Sequence, residues 1–286
     1  MSARALRIGY TCHDAFPSTH TNTQQIFWTL SEVARLGHHI DLHVPALTGG
    51  ADHRTTIARH YGAPDDTVPD TLVFTAAGDR DARRAMAKGR FDLAAPARFA
   101  RSAHDVVWTR HPLALVRAVR TGLPAIFETY RPDFATAARF APWRGAVLGR
   151  RRVAGVIAHS ALAAAAFIDA GVPKARVLVA HNGYAPSLME PSLERQEARA
   201  LAGLPDDWPL LVYTGHVGPQ KGTDMLISLA AALPDARLAI VGIEDGAHGR
   251  RWSSNSWTQP GSPTSCCCRA STLPTWPRIS TQPTVW

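Results

Sequence analysis

The residues best suited to chemistry are three glycines and a lysine, Gly215, Gly218, Lys221 and Gly222, which lie between the apolar run Leu210-Leu211-Val212-Tyr213 and a helically spaced run over residues 223–233. The first run has the character of a buried parallel strand and the second that of a helix. Glycines at a strand-to-helix turn let backbone N–H groups close on an anion, the helix N-terminus adds partial positive charge, and Lys221 adds a full one. A phosphate or diphosphate is the natural guest. An ordinary tight turn would use the same glycines, and the lysine just before the helix is what favours the anion site.

The elements that must position this turn can be read along the chain. Residues 6–10 read as a buried strand, 23–36 as an amphipathic helix closed by Gly37, and 40–44 as the next strand. The strand theme repeats at 72–74, 105–108, 125–127, 153–158 and 177–180, with helical patterns over 81–88, 113–120 and 162–170. Such alternation argues for an α/β fold built on a doubly wound parallel sheet. A proline-punctuated stretch from Pro186 to Pro191 and a charged helix over 193–201 lead into a second βαβ unit, with strands at 210–213 and 238–241. The expected domains are 1–187, a partial second domain at 188–247, and a tail at 248–286.

Composition narrows the function. The chain has 286 residues, 45% of them hydrophobic, enough for one large or two ordinary domains. No apolar run is long enough to span a bilayer, and the N-terminus enters a strand without a cleavable signal pattern, so a cytoplasmic location is expected. Cys12 stands alone and Cys266, Cys267 and Cys268 are consecutive, which fits neither a disulfide framework nor a C-x-x-C metal spacing. The net charge of +8 is inflated by a segment after Asp245 that lacks acidic residues altogether, so nucleic acid is not expected as a partner. No glycine occurs between Thr11 and Asn22, after the first strand, which disfavours a dinucleotide oxidoreductase.

Four passages together resemble the GT-B glycosyltransferases, in particular the retaining family 4. They are Ala34 to Pro45, with its Leu36-Gly37-His38 turn; Ala158-His159-Ser160; Gly171 to Tyr184, with Asn182-Gly183; and Tyr213-Thr214-Gly215 followed by Lys221-Gly222. The resemblance covers roughly residues 5–245. It implies an N-terminal acceptor domain and a C-terminal donor domain, with transfer of a sugar from a nucleotide-diphosphate donor to an acceptor hydroxyl, configuration retained. Neither a metal nor a resident cofactor is expected. Partners implied are a nucleotide sugar and a carbohydrate or lipid-linked acceptor.

The same resemblance assigns roles. Lys221 would stabilise the departing diphosphate, with Gly215, His216, Gly222, Asn182 and Gly183 on the donor side; His216 stands where many relatives carry arginine. On the acceptor side, His20 and Thr21 occupy the positions of a frequent Gly-Gly loop. Tyr130 stands where many relatives have a functional histidine, so that histidine's own role does not carry over. Tyr130 is nevertheless the residue expected at that catalytic position, with Arg131 beside it and His111 as the nearest histidine.

Arg144 and Arg150-Arg151-Arg152, flanked by Trp143, form a basic patch of the kind that docks on anionic membranes, though a solvated helix face would look the same. The tail shows no helical or strand period and yet holds half of the chain's tryptophans, unlike disordered segments. A reading-frame shift accounts for that composition: in another frame Trp252 to Gln259 can encode an amphipathic helix, the region of Cys266 Asp-Val-Val-Leu-Leu-Pro, and Ile279 to Thr284 an Ala-Ala-Asp passage. The expectation is a truncated transferase of reduced competence. The alternatives are a non-catalytic binding fragment and a basic membrane-surface protein.

Overall fold

Short apolar runs alternating with helices produce parallel sheets, because parallel neighbours need a crossover between them. The computed structural model describes residues 4–18, 20–47, 52–64, 68–77, 87–184, 193–201, 204, 209–215, 221–233, 235–242 and 265–269. The chain divides into two compact units, Met1–Ala185 and Pro186–Trp286. Each has its own parallel sheet.

The first unit runs β1 (Arg7–Thr11), α1 (Thr21–Arg35), β2 (His39–Val44), α2 (His53–His60), β3 (Leu72–Ala76), α3 (Ala87–Arg101), β4 (Val106–Thr109) and α4 (Pro112–Thr121). It continues with β5 (Ala125–Thr129), α5 (Asp133–Thr136), α6 (Ala141–Val147), β6 (Val153–Ala158), α7 (Ala161–Asp169) and β7 (Val177–Val179). All strand pairs are parallel, in the order β3-β2-β1-β4-β5-β6-β7. The chain winds outward from β1 to β3 and then restarts at β4 on the other side of β1. This reversal is the topological switch point, beyond whose strand ends such folds bind ligands.

Side chains alternate between two cores. Ile8 and Tyr10 of β1 and Val106 and Trp108 of β4 pack with Ile26, Phe27 and Leu30 of α1 and Ile57 of α2. Val107 and Phe127 point the other way, into a cluster with Phe99, Leu115, Val119 and Phe167. Between Ile8 and Tyr10, Gly9 lets α3 approach the sheet: a Cβ there would lie 2.4 Å from Cγ of Phe99. Gly37, with φ of 92°, follows α1 in the left-handed region, and its N–H donates to the Ala34 carbonyl at 2.9 Å.

Residues 81–86 of the helix expected over 81–88 lie outside the described residues, and α3 extends far beyond that span. It runs through Gly89 and Pro96, both of which read as breakers. Phe91, Ala95 and Phe99 are buried at i, i+4 and i+8, and that apolar stripe holds the helix against its local preferences.

The second unit comprises α8 (Arg195–Leu201), β8 (Leu210–Thr214), α9 (Thr223–Ala232), β9 (Arg237–Gly242) and β10 (Ser265–Arg269). Its sheet is parallel in the order β10-β9-β8. Ala230, Leu238 and Ile240 form its core, with Tyr213 and Leu226 against them. The strand β10 is a correction to a tail read as lacking strand character. Three consecutive cysteines are a short apolar run, and a run of that length is enough for a strand.

Candidate functional site

Because β1 and β4 are neighbours, the residues just beyond their carboxyl ends meet. Cys12, His13 and Asp14 follow β1, and Arg110 and His111 follow β4. The imidazoles of His13 and His111 stack with centroids 3.5 Å apart and planes at 22°. The His13 backbone N–H donates to Nε2 of His111 at 3.3 Å, which requires that nitrogen to be unprotonated. Nδ1 of His13 lies 3.1 Å from Oδ2 of Asp92, whose side chain on α3 is only 6% exposed. Lys88, also on α3, donates to Oδ1 of Asp14 at 2.8 Å.

The electrostatics follow from burial and proximity. Burial first, then His13, pulls His111 down to about 3, so its ring is neutral at ordinary pH. Burial pushes the Asp92 carboxyl up against the opposing bond from His13. Burial would raise Asp14 as well, but Lys88 outweighs it and the carboxyl sits below its usual range. Burial also pushes the Cys12 thiol up to about 12, leaving it inert as a nucleophile. His13, half-buried like His111, is oriented by a buried carboxylate in the way that suits proton transfer.

Beside this group lies a second network. Arg110 bonds to Glu128 of β5 through Nη2, and through Nη1 to Oδ1 of Asn22 at 2.7 Å and Oε1 of Gln25 at 2.9 Å. His159, after β6, places Nε2 2.9 Å from the same Glu128 oxygen. The Arg110 and Glu128 side chains are 6% and 4% exposed. Burial alone would raise Glu128, yet the His159 hydrogen bond and then Arg110 hold it below the ordinary carboxylate range. Gln25 extends the network by donating to Asn182 beyond β7. Helix α1, strand β5 and the loops after β4, β6 and β7 are thereby tied together at one edge of the sheet.

The expected site residues distribute unevenly. His111 falls inside the first cluster, at the N-cap of α4, where its side chain caps nothing. Asn182 joins the second network, and Gly183 follows it in coil. His20 is the N-cap of α1 and Thr21 its first residue, both exposed. Tyr130 is 58% exposed, with the Arg131 guanidinium 5.2 Å from its ring centre. No hydrogen bond or ring contact among the described residues joins His20, Thr21, Tyr130 or Arg131 to either cluster.

In the second unit, Gly215 follows β8 with φ of +145°, and Gly222 caps α9 in the left-handed region with φ of +67°. Lys221 is exposed immediately before that helix. His216 lies outside the described residues. The strand and helix read from sequence are therefore present, with a cation at the helix start, while residues 216–220 of the turn between them, Gly218 included, lie outside the described residues.

Sequence reasoning missed His13, Asp14, Lys88, Asp92, Arg110, Glu128 and His159. Glu128 carried a usable signal, a lone acid inside the apolar strand Ala125-Ile126-Phe127. The basic patch proved partly structural: Arg144 donates to the Ala135 carbonyl at 2.6 Å and Arg152 to that of Gly122, while Trp143 is 40% exposed. Among the described residues, no helix is long and apolar enough to cross a membrane.

No protein-family model matches the chain. By sequence it is 34% identical over 73 residues to a D-inositol 3-phosphate glycosyltransferase of Mycobacterium leprae, a stretch covering 26% of this chain and 17% of that protein. The chain thus matches about a sixth of the length of such curated relatives. By structure it is similar to Anabaena HepE in complex with UDP and glucose, at a TM-score of 0.56 and 17% identity, covering 93% of this chain and 70% of that one. It is also similar to the catalytic domain of Arabidopsis thaliana starch synthase IV bound to ADP and acarbose, at a TM-score of 0.60 and 10% identity, covering 93% and 74%. The fold is GT-B-like α/β, and the relatives matched by sequence are glycosyltransferases.

Proposed function

We propose that this chain descends from a family 4 glycosyltransferase that moves a hexosyl group from a nucleotide-diphosphate donor to an acceptor hydroxyl with retention. The observation that carries this reading is the 34% identity over 73 residues with a D-inositol 3-phosphate glycosyltransferase, found in a chain of GT-B-like fold. In this reading the β8–α9 turn receives the diphosphate. Its backbone amides and Lys221 stabilise the leaving charge without a metal. The first unit receives a carbohydrate or lipid-linked acceptor near Tyr130, Arg131 and the carboxyl edge of its sheet. Exposed Trp143 beside the arginines supports peripheral contact with an anionic membrane face from the cytoplasmic side.

The reading-frame shift after Gly246 belongs to the same proposal. A change of frame turns cysteine codons into those of valine and leucine, so both frames encode a short apolar run where β10 lies. A chain altered there binds donor but turns it over poorly, which makes it in practice a binding fragment.

Calorimetric titration of the full chain with UDP, ADP and UDP-glucose tests the donor reading. Binding of at least one nucleotide at millimolar or tighter affinity is expected, and no heat with any of the three would overturn it. Where turnover is measurable, the anomeric configuration of the product by NMR decides between retention and inversion.

A further inference from the structure

We propose that His13, Asp92 and His111 form a binding site for one divalent transition-metal cation, of the zinc type, at the switch point of the first sheet. Three elements supply them: the loop after β1, helix α3, and the N-cap of α4. One ligand atom from each lies within 4.8 Å of the others. Two imidazoles and one carboxylate are the donor set that suits zinc and its neighbours rather than magnesium or calcium.

Asp92 supplies an independent reason to look for a ligand here. Its side chain is 6% exposed, and while Oδ2 is bonded to His13, the buried Oδ1 has no hydrogen-bond partner among the described residues. A buried carboxylate oxygen without a partner is rare in folded proteins. Lys88, four residues earlier on α3, bonds to Asp14, so its charge is already matched by another carboxylate.

Coordination requires a definite rearrangement. Zinc bonds of about 2.0–2.1 Å in tetrahedral geometry hold ligand atoms about 3.3 Å apart. The group must therefore contract, and one of the stacked rings must turn so that both in-plane lone pairs converge. His13, on a loop rather than at the start of a helix, is the ring that turns. The cation then replaces two contacts, the His13 to Asp92 hydrogen bond at 3.1 Å and the His13 N–H to His111 bond at 3.3 Å. This site lies wholly within the first unit and does not depend on donor binding by the second.

The test is zinc binding by the full chain, stripped with chelator, reduced, and titrated in competition with a chromophoric chelator. Cys266, Cys267 and Cys268 supply thiols of their own, so the readout is the difference between wild type and His13→Gln, His111→Gln and Asp92→Asn. Each variant is expected to lose one equivalent of zinc, or at least tenfold in affinity for it. Cobalt in place of zinc should give visible absorption of nitrogen and oxygen ligation that the variants lack. If wild type binds no zinc, or binds as many equivalents with the same affinity as His13→Gln and His111→Gln, the proposal fails. Should Asp92→Asn not fold by circular dichroism, the two histidine variants decide.

Discussion

In the first unit Arg110, just after β4, and Glu128, in β5, are buried and bonded to one another, whereas in the second Lys221 stands exposed before a helix. Arg110 and Glu128 are nearly inaccessible and join α1, β5 and the loops after β4 and β6. Lys221 faces solvent, in a unit whose apolar residues Met225, Leu229 and Leu233 are themselves 72%, 43% and 40% exposed. Buried charge must be matched internally or it destabilises the fold; exposed charge costs the fold little and remains available to a ligand. The difference separates the Arg110–Glu128 network, where mutation should read out as stability, from Lys221, where it should read out as binding.

The strongest challenge to that separation is Glu128→Gln. It strands a buried guanidinium, and removing one partner of such a pair costs about 3–5 kcal/mol. Amide exchange followed by mass spectrometry should show peptides of β1, β4 and β5 losing protection. The Glu128 carboxyl is held below its ordinary range, so its contribution is complete above the unfolded carboxylate pKa and is lost as pH falls through the folded value. Wild type and variant should therefore converge in acid. Equal protection at neutral pH would show the network to be incidental.

A second test of the same unit uses pH alone. His43 of β2, bonded to Thr75 at 2.9 Å, is pulled down to about 4 by burial first and then by Arg98. Between about pH 6.5 and that value the unfolded chain takes up a proton that the folded chain refuses, so stability falls as pH falls through this window. The loss is on the order of 2–3 kcal/mol. In His43→Asn the gap in urea midpoint between pH 7 and pH 5 should narrow, and an unchanged gap would exclude His43 as its source.

How much of this was legible beforehand follows the same physical division. Strands covered on both faces read as continuous apolar runs, so β6 and β9 could be placed within a residue or so, and the alternation of Ile40, Leu42 and Val44 placed β2 as closely. Helix α2, His53–His60, buries only Ile57 and Ala58, and a helix with so small an apolar face leaves no clear period. In α3, glycine and proline hid the 91, 95, 99 stripe. The clusters themselves were invisible because they are non-local: His13 meets Asp92 across 79 residues and His111 across 98. By contrast, β8 and α9 are local elements, and local elements survive in a linear reading.

A smaller effect is expected from Gly9→Ala. The new methyl group would meet the Phe99 ring at 2.4–2.6 Å, and overpacking of a filled core costs about 1–3 kcal/mol. Phe99 lies at the centre of the second core, so the melting temperature of the first unit should drop by several degrees. Restoring it with Phe99→Leu in the same chain would identify the clash as the cause.

Lys221→Ala should change stability least of all. The side chain is exposed and no ion pair to it occurs among the described residues, so its removal is expected to stay within about 0.5 kcal/mol. Affinity for a nucleoside diphosphate should nonetheless fall about tenfold or more, because a charge-assisted bond to phosphate is worth about 1.5–3 kcal/mol. Differential scanning calorimetry of the variant with and without UDP measures both quantities on one sample. A clear drop in the ligand-free melting temperature would place Lys221 among the structural charges, as Arg110 is, and erase the contrast between the two turns. An unchanged melting temperature with the UDP-induced shift lost would establish that the second unit keeps its charge for a ligand.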